Sequence, residues 1–426
     1  MPKKHSKKKQ ASSIEKDELE LASVMSIASE DSENSPSISG DVEEIGDIQG
    51  VLEEVCTALD SLTEKRPETR IKALEFLLSA FRLHCLYLDE TWNYCDTFLS
   101  GIEFILRKGR HRDQALAVEC LAVFCLQTET LPTAEYFSRF LTPLDVGLRD
   151  ENAFCDFRSA CATALAIFQF ITGHCDFVSP KDLMKSFETV FKGSCLKGDG
   201  KAPVLDVSVS CLHISALRSW GLLYTILTPD DADTLGKALL PTLLKLLQAS
   251  NVDMRIMAGE IAALIYERIR TESDERYKGP HYNSLVTLLN DLATDGTKSR
   301  SKVDRKKQRY YFRDFVDTVS KTDSTETSVT IGPETLVLSS CVEHFHYEFL
   351  CYLLKGGVSR HLRQNSLVRD LFNMGEPILI SESHQDRRLA KGQKRLELSF
   401  ASKLRTQKLN SFRDKRRTIA SESDHI

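Results

Sequence analysis

The stretch nearest to a catalytic motif is Gly193 to Gly198, GSCLKG, whose two glycines are spaced as in a phosphate-binding loop. The next residue is Asp199 where that loop needs Lys, and Lys201 is followed by Ala202 rather than by a hydroxyl for magnesium. Nucleotide binding is therefore not expected there. His344 and His346 form a His-x-His pair, which on a strand would point one way and could hold a metal. The surrounding SSCVEHFHYEFLCYLL has helical spacing, where i and i+2 diverge, and no carboxylate or cysteine set at ligand spacing accompanies it. A packing role is expected for both, and for Trp92 and Trp220. The chain carries no G-x-S-x-G elbow and no dinucleotide fingerprint, and no nucleophile comes with a base. These residues predict neither an enzyme, nor a cofactor, nor a small-molecule substrate.

Charge is the stronger signal. The formal net charge of -5 over 426 residues conceals separated blocks of opposite sign. Between Lys298 and Arg313 eight basic residues (Lys298, Arg300, Lys302, Arg305, Lys306, Lys307, Arg309, Arg313) oppose the single acid Asp304, with Tyr310, Tyr311 and Phe312 interleaved. From His384 to Arg417 there are twelve: Arg387, Arg388, Lys391, Lys394, Arg395, Lys403, Arg405, Lys408, Arg413, Lys415, Arg416 and Arg417. Three acids, Asp386, Glu397 and Asp414, leave a net of +9. Such density attracts phosphate backbones, because binding releases condensed counterions. RNA is favoured over duplex DNA: no helix-turn-helix, zinc finger or zipper accompanies the charge, whereas aromatics that could stack on bases do. Leu389, Leu396, Phe400 and Leu404 add helical spacing to the second block, which a plain transport signal would not need. Lys3, Lys4, Lys7, Lys8 and Lys9 lack such a stripe and read as a solvated or nuclear-transport segment.

The elements that position these blocks follow from periodicity. Residues 1–47 are basic, then rich in Ser, Asp and Glu; they offer too little apolar surface to offset ordering entropy, so a disordered tail is expected. Over 48–294 runs such as ETRIKALEFLLSAFRL and FRSACATALAIFQFI place apolar residues at i, i+3, i+4 and i+7. Breaks are expected at Pro67, Gly109, Pro132, Pro143, Gly173, Pro180, Pro229, Pro241 and Gly279. An Arg stands just ahead of an Ala-rich helix at Arg70–Ala73, Arg112–Ala115, Arg158–Ala162 and Arg255–Ala258, with a weaker unit around Ala216. The alanine steps of 42, 47, 54 and 42 residues match HEAT and armadillo arrays, and the long step holds the insertion GSCLKGDGKAP. Residues 295–326 then read as a basic linker. Residues 327–380 read as a small, separate α+β module, with strand-like runs Val329–Ile331 and Leu336–Leu338 and helices near Cys341–Leu354 and Val358–Asn373. Residues 381–426 read as a basic helical tail. The expected fold is mainly α, a HEAT/armadillo-like solenoid followed by that module and tail.

Twelve cysteines lie scattered, with no Cys-x-x-Cys pair, and most fall in apolar runs, as buried free thiols do. No apolar leader follows the basic start and no apolar run approaches membrane-spanning length. A cytoplasmic and nuclear protein without membrane contact is expected.

The segments KVDRKKQRYYFRDFVDTV, IGPETLVLSSCVEHFHYEFLCYLLKGGVSRHLRQNSLVRDLFNMGEPILI and FRDKRR resemble the C-terminal part of the interferon-related developmental regulator family, most specifically at Asp304–Asp314 and Arg360–Phe372. The helical region and the Lys-rich, then acidic, start fit as well; the final TIASESDHI departs from the pattern. The resemblance implies two activities. One is docking on ribosomes and their rRNA to hold them inactive, with a C-terminal helix in RNA-lined channels. The other is nuclear co-regulation of transcription with co-repressor and deacetylase complexes. The leading expectation is therefore a non-enzymatic translational repressor acting in differentiation or quiescence. The alternative is a nuclear protein-interaction scaffold.

Overall fold

Amphipathic helices bury their apolar stripes by pairing, and here the pairs repeat. The computed structural model of the chain describes residues 46–86, 92–127, 133–173, 179–294, 301–321, 326–332 and 334–376. The expected disordered N-terminal tail, apart from its last two residues, and the basic helical tail lie outside the described residues. The pairs are α1 (Gly46–Ser61) with α2 (Pro67–Leu83), α3 (Trp92–Lys108) with α4 (Arg112–Phe124), and α5 (Thr133–Arg149) with α6 (Cys155–Thr172). They continue with α7 (Pro180–Phe191) and α8 (Val207–Tyr224), α9 (Pro229–Leu246) and α10 (Val252–Glu272), and α11 (Tyr282–Thr294) and α12 (Lys302–Lys321). The second helices stack in order from α2 to α12, each backed by the first helix of its own pair. The fold is thus mainly α, a helical-repeat solenoid. Alanines at 160, 162, 164 and 166 are all buried, so small side chains let the inner helices close up.

The recurring arginines have a structural reason. Arg70 sits one turn into α2 and turns back to the chain end of α1, donating to the Glu64 and Lys65 carbonyls at 2.8 and 3.2 Å. It also pairs with Asp113 of the next repeat at 2.5 Å. Arg255 repeats the device on the Ala249 and Ser250 carbonyls and on Gln308 of α12. Arg158 bonds the Leu148 carbonyl at 2.9 Å. Arg70 and Arg255 are buried and Arg158 half-buried, and each satisfies carbonyls at the end of the preceding helix or in the turn that follows it.

Two strands, β1 (Thr327–Ile331) and β2 (Glu334–Leu338), pair antiparallel around Gly332, whose φ of 62° suits glycine. They lead into α13 (Cys341–Leu354), a 3-10 turn (Lys355–Gly357), α14 (Val358–Gln364) and α15 (Ser366–Leu371). Ser340 and Glu343 form a capping box at the start of α13.

Several expectations need correction. Pro143 and Pro241 lie inside α5 and α9 rather than ending them, because Leu144 and Leu148, and Leu243 and Leu246, keep each helix buried past its proline. The basic linker is a helix over 302–321, and it completes the sixth repeat. The module at 327–376 is not separate: it shares one compact unit with the array. The second helix of that module is divided at Asn365, whose side chain caps Val368 N at 3.1 Å and donates to the Leu126 carbonyl at 2.7 Å.

That module packs on the inner face of the array. A Cβ on Gly221 of α8 would stand 2.5 Å from the Phe345 ring, and a Cβ on Gly357 would overlap the Arg82 carbonyl, so both contacts require glycine. His346 Nε2 bonds Thr225 Oγ1 at 2.9 Å. His361 donates from Nε2 to the Phe81 carbonyl and accepts at Nδ1 from Asn365, both at 3.2 Å. Burial holds both imidazoles neutral, with pKa values lowered to about 4. Arg369, 0% exposed, grips Glu334 at 2.8 and 2.9 Å and donates to the carbonyls of Leu362, Met374, Gly375 and Glu376.

Candidate nucleic-acid interface

Helix α12 carries the first basic block. Its first turn is capped by Ser301, which accepts from Asp304 N at 3.0 Å. Gln308, Phe312, Phe315 and Val319, at i, i+4, i+7 and i+11, form the buried stripe. Gly259 of α10 lets the two phenylalanines approach, since a Cβ there would stand 2.7 Å from the Phe315 ring. Polar clamps fix the helix at both ends. Gln308 accepts from Arg255 at 3.1 and 2.7 Å and donates to the Leu292 carbonyl, while Arg270 holds the Thr318 and Val319 carbonyls at 3.1 and 2.9 Å.

With the buried stripe so fixed, Lys306, Arg309 and Arg313 fall together on the opposite face, at i, i+3 and i+7. Arg309 and Arg313 are exposed, and Arg309 Nε also bonds the Arg305 carbonyl at 3.2 Å. Arg305 is half-buried beside this stripe. Lys307 turns to the previous repeat and pairs with Asp253 at 2.8 Å; both side chains are largely in solvent, so the pair adds little stability. Lys302 opens the helix. The basic residues from Arg387 to Arg417 lie outside the described residues.

The interleaved aromatics do not serve as a base-stacking platform. Phe312 is 0% exposed, and Tyr311 packs on Phe315 with ring centroids 6.3 Å apart. Burial pushes the hydroxyls of Tyr310 and Tyr311 up from their ordinary range. Apolar spacing within the block was the signal that these rings face inward.

The other sequence candidates are packing residues. Ser194 Oγ bonds His213 Nδ1 at 2.7 Å and Gly193 lies under that ring, so GSCLKG belongs to a loop joining α7 to α8. His344 uses both ring nitrogens, on the Ser340 carbonyl and Thr327 Oγ1, at 2.9 and 3.0 Å. Trp220 is buried, stacked on Tyr224. Among the described residues no group of three His, Cys, Asp or Glu is placed to hold a metal, and no helix is long and apolar enough to cross a membrane. Every described cysteine is a free thiol.

Sequence reasoning missed a pair of glutamates. Glu260 of α10 is raised to about 8, by burial first and by Glu348 of α13 second; the Glu348 carboxyl is itself raised by burial. Two helices and the hairpin separate them in the chain, and no local pattern announces their meeting.

The architecture defines a mainly α, helical-repeat protein. A sequence model of the interferon-related developmental regulators matches residues 22–320, and one of the interferon-related protein conserved region matches 365–417. The mouse interferon-related developmental regulator 2 is 33% identical over 383 residues, covering 89% of this chain and 86% of its own length. The mouse and human interferon-related developmental regulator 1 are 32% and 31% identical over 390 residues, covering 90% of this chain and 86% of theirs. The chain belongs to the interferon-related developmental regulator family.

Proposed function

We propose that this chain docks on RNA, with the ribosome and its rRNA as target, and represses translation during differentiation or quiescence without catalysing a reaction. The observation that carries the reading is α12: a helix clamped by Arg255, Gln308 and Arg270 that turns Lys306, Arg309 and Arg313 away from the array. A clamped helix suits phosphate contact because little backbone freedom is left to lose on binding. The second block, net +9 over 384–417, would supply most of the affinity. The relatives are named regulators rather than enzymes, which fits a docking protein.

Co-sedimentation with ribosomes across a salt series tests this. Binding is expected to fall with a log-log slope of roughly −0.7 to −0.9 per phosphate neutralised. Deleting 384–417 is expected to abolish it, and Arg309→Ala or Arg313→Ala to lower the slope by about one each. Full binding by the deletion variant would sink the mechanism.

A second reading, a nuclear scaffold for co-repressor or deacetylase complexes, draws support from the part of the inner face that α13 leaves open. In that case neutralising Lys306, Lys307 and Arg309 shifts the protein between nucleus and cytoplasm and leaves ribosome sedimentation unchanged.

A further inference from the structure

The turns inside the first three repeats are tied to one another along one edge of the array. Arg70 holds the Lys65 carbonyl of the first turn at 3.2 Å and the Asp113 carboxylate at 2.5 Å. Asp113 in turn accepts from Arg110 N of the second turn at 2.6 Å. His111 of the second turn and Phe154 of the third then meet edge to face, with ring centroids 3.9 Å apart. Both rings stand in solvent. Phe154 is 55% exposed and lies outside the apolar core. His111 is exposed and has a φ of 52°, a conformation that disfavours any residue with a Cβ. Backbone strain of this kind gathers at ligand sites.

Charge on this edge favours a polyanion. Residues 63–66, 107–112 and 150–154 hold six cations (Lys65, Arg66, Arg107, Lys108, Arg110 and Arg112) against three carboxylates (Glu64, Asp150 and Glu151), in a chain whose net charge is -5. All six cations are exposed. Arg107 and Arg112 pair with Glu103 and Glu75 largely in solvent, contacts weak enough for a phosphate to replace. The Asp150 carboxylate is turned inward on its own loop, where it accepts from Asn152 N and Nδ2.

We propose that this edge binds a single strand of RNA, with an unpaired base stacked on Phe154 beside His111 and phosphates on Lys65, Arg66 and Arg110. The inference rests on the RNA reading above and adds a contact of a different kind. An aromatic ring set in a basic track holds single strands with little sequence preference, since every base has a π-face. Helix α12 offers no such ring, because Phe312 is 0% exposed and Tyr311 packs on Phe315. A duplex keeps its bases stacked on one another, so only an unpaired base can use Phe154.

Phe154→Trp in the full chain places a reporter at the site, with the parent chain as the blank for Trp92 and Trp220. Titration with single-stranded oligoadenylate is expected to quench the added emission saturably. The same strand without bases, or an RNA duplex of equal length, should leave it unchanged. Arg110→Ala in the Phe154→Trp chain should lower the log-log salt slope of the quenching by about one. Phe154→Ala should reduce the preference for oligoadenylate over the baseless strand about tenfold, the loss of one base–aromatic stack. Phe154 lies in solvent, and thermal denaturation of the variants confirms that the fold is kept. Unchanged emission while anisotropy of a labelled oligoadenylate reports bound RNA overturns this inference and leaves the RNA reading standing, as does equal quenching by the duplex. Absence of bound RNA on the parent chain removes both.

Discussion

The buried imidazoles of α13 and α14 and the Glu260–Glu348 pair between α10 and α13 respond to protons in opposite directions. Under α13 to α15 the buried imidazoles are neutral and answered: His346 by Thr225, His361 by Phe81 and Asn365. Their pKa values fall from 6.5 to about 4, so the folded state binds fewer protons than the unfolded chain between those values. The stability they contribute is full above pH 6.5 and is lost as pH falls through about 4. Where Glu260 of α10 meets Glu348 of α13, the Glu260 carboxyl rises from 4.5 to about 8. Its contribution is full below pH 4.5 and is lost as pH rises through about 8. The imidazoles are lowered by burial beside hydrogen-bond partners that the chain supplies, whereas the Glu260 carboxyl is raised by burial and by the neighbouring Glu348.

The harshest break in α13 to α15 is Arg369→Met. It strands Glu334 and four carbonyls around a fully buried site, and a loss of about 3–5 kcal/mol in chemical denaturation is expected. Asn365→Ala removes the cap on Val368 and the bond to Leu126 together, and should cost about 2 kcal/mol in the same assay. The smallest effects sharpen the contrast itself. Denaturation midpoints measured from pH 4 to 9 should fall at both ends of the range. Substituting His346 and His361 by Gln should flatten only the acid limb, and Glu260→Gln only the alkaline one. An alkaline limb that survives Glu260→Gln would remove the basis for treating the two sites as opposites.

Much of the architecture was legible because helices are local. Apolar spacing gave the repeats, and the arginine was a true marker at Arg70, Arg158 and Arg255, which reach carbonyls five to ten residues back, whereas Arg112 lies on the surface and pairs with Glu75. The Gly-Pro turn and its two strands were equally local. The basic linker was misread because charge on 302–313 masked the wider stripe of Gln308, Phe312, Phe315 and Val319, one face of a terminal helix. The same residues mislead about RNA, for aromatics interleaved with cations look like a stacking platform until the helix turns them inward. Pro143 and Pro241 misled for the opposite reason: a local breaker yields when packing on both sides holds the helix.

By itself the sequence determined that this chain is a helical array, that arginines recur ahead of its Ala-rich helices, and that its positive charge is gathered in two dense blocks. Only the tertiary structure decided that 341–372 lies on the inner face of the array, because that contact joins residues some 280 positions apart, such as Phe81 and His361. It also decided which cations of the first block face outward, since the buried stripe of α12 acquires its direction only against Gly259 and Arg255. The meeting of Glu260 with Glu348 belongs to the same class: two unremarkable acids become a desolvated pair when separate helices cross.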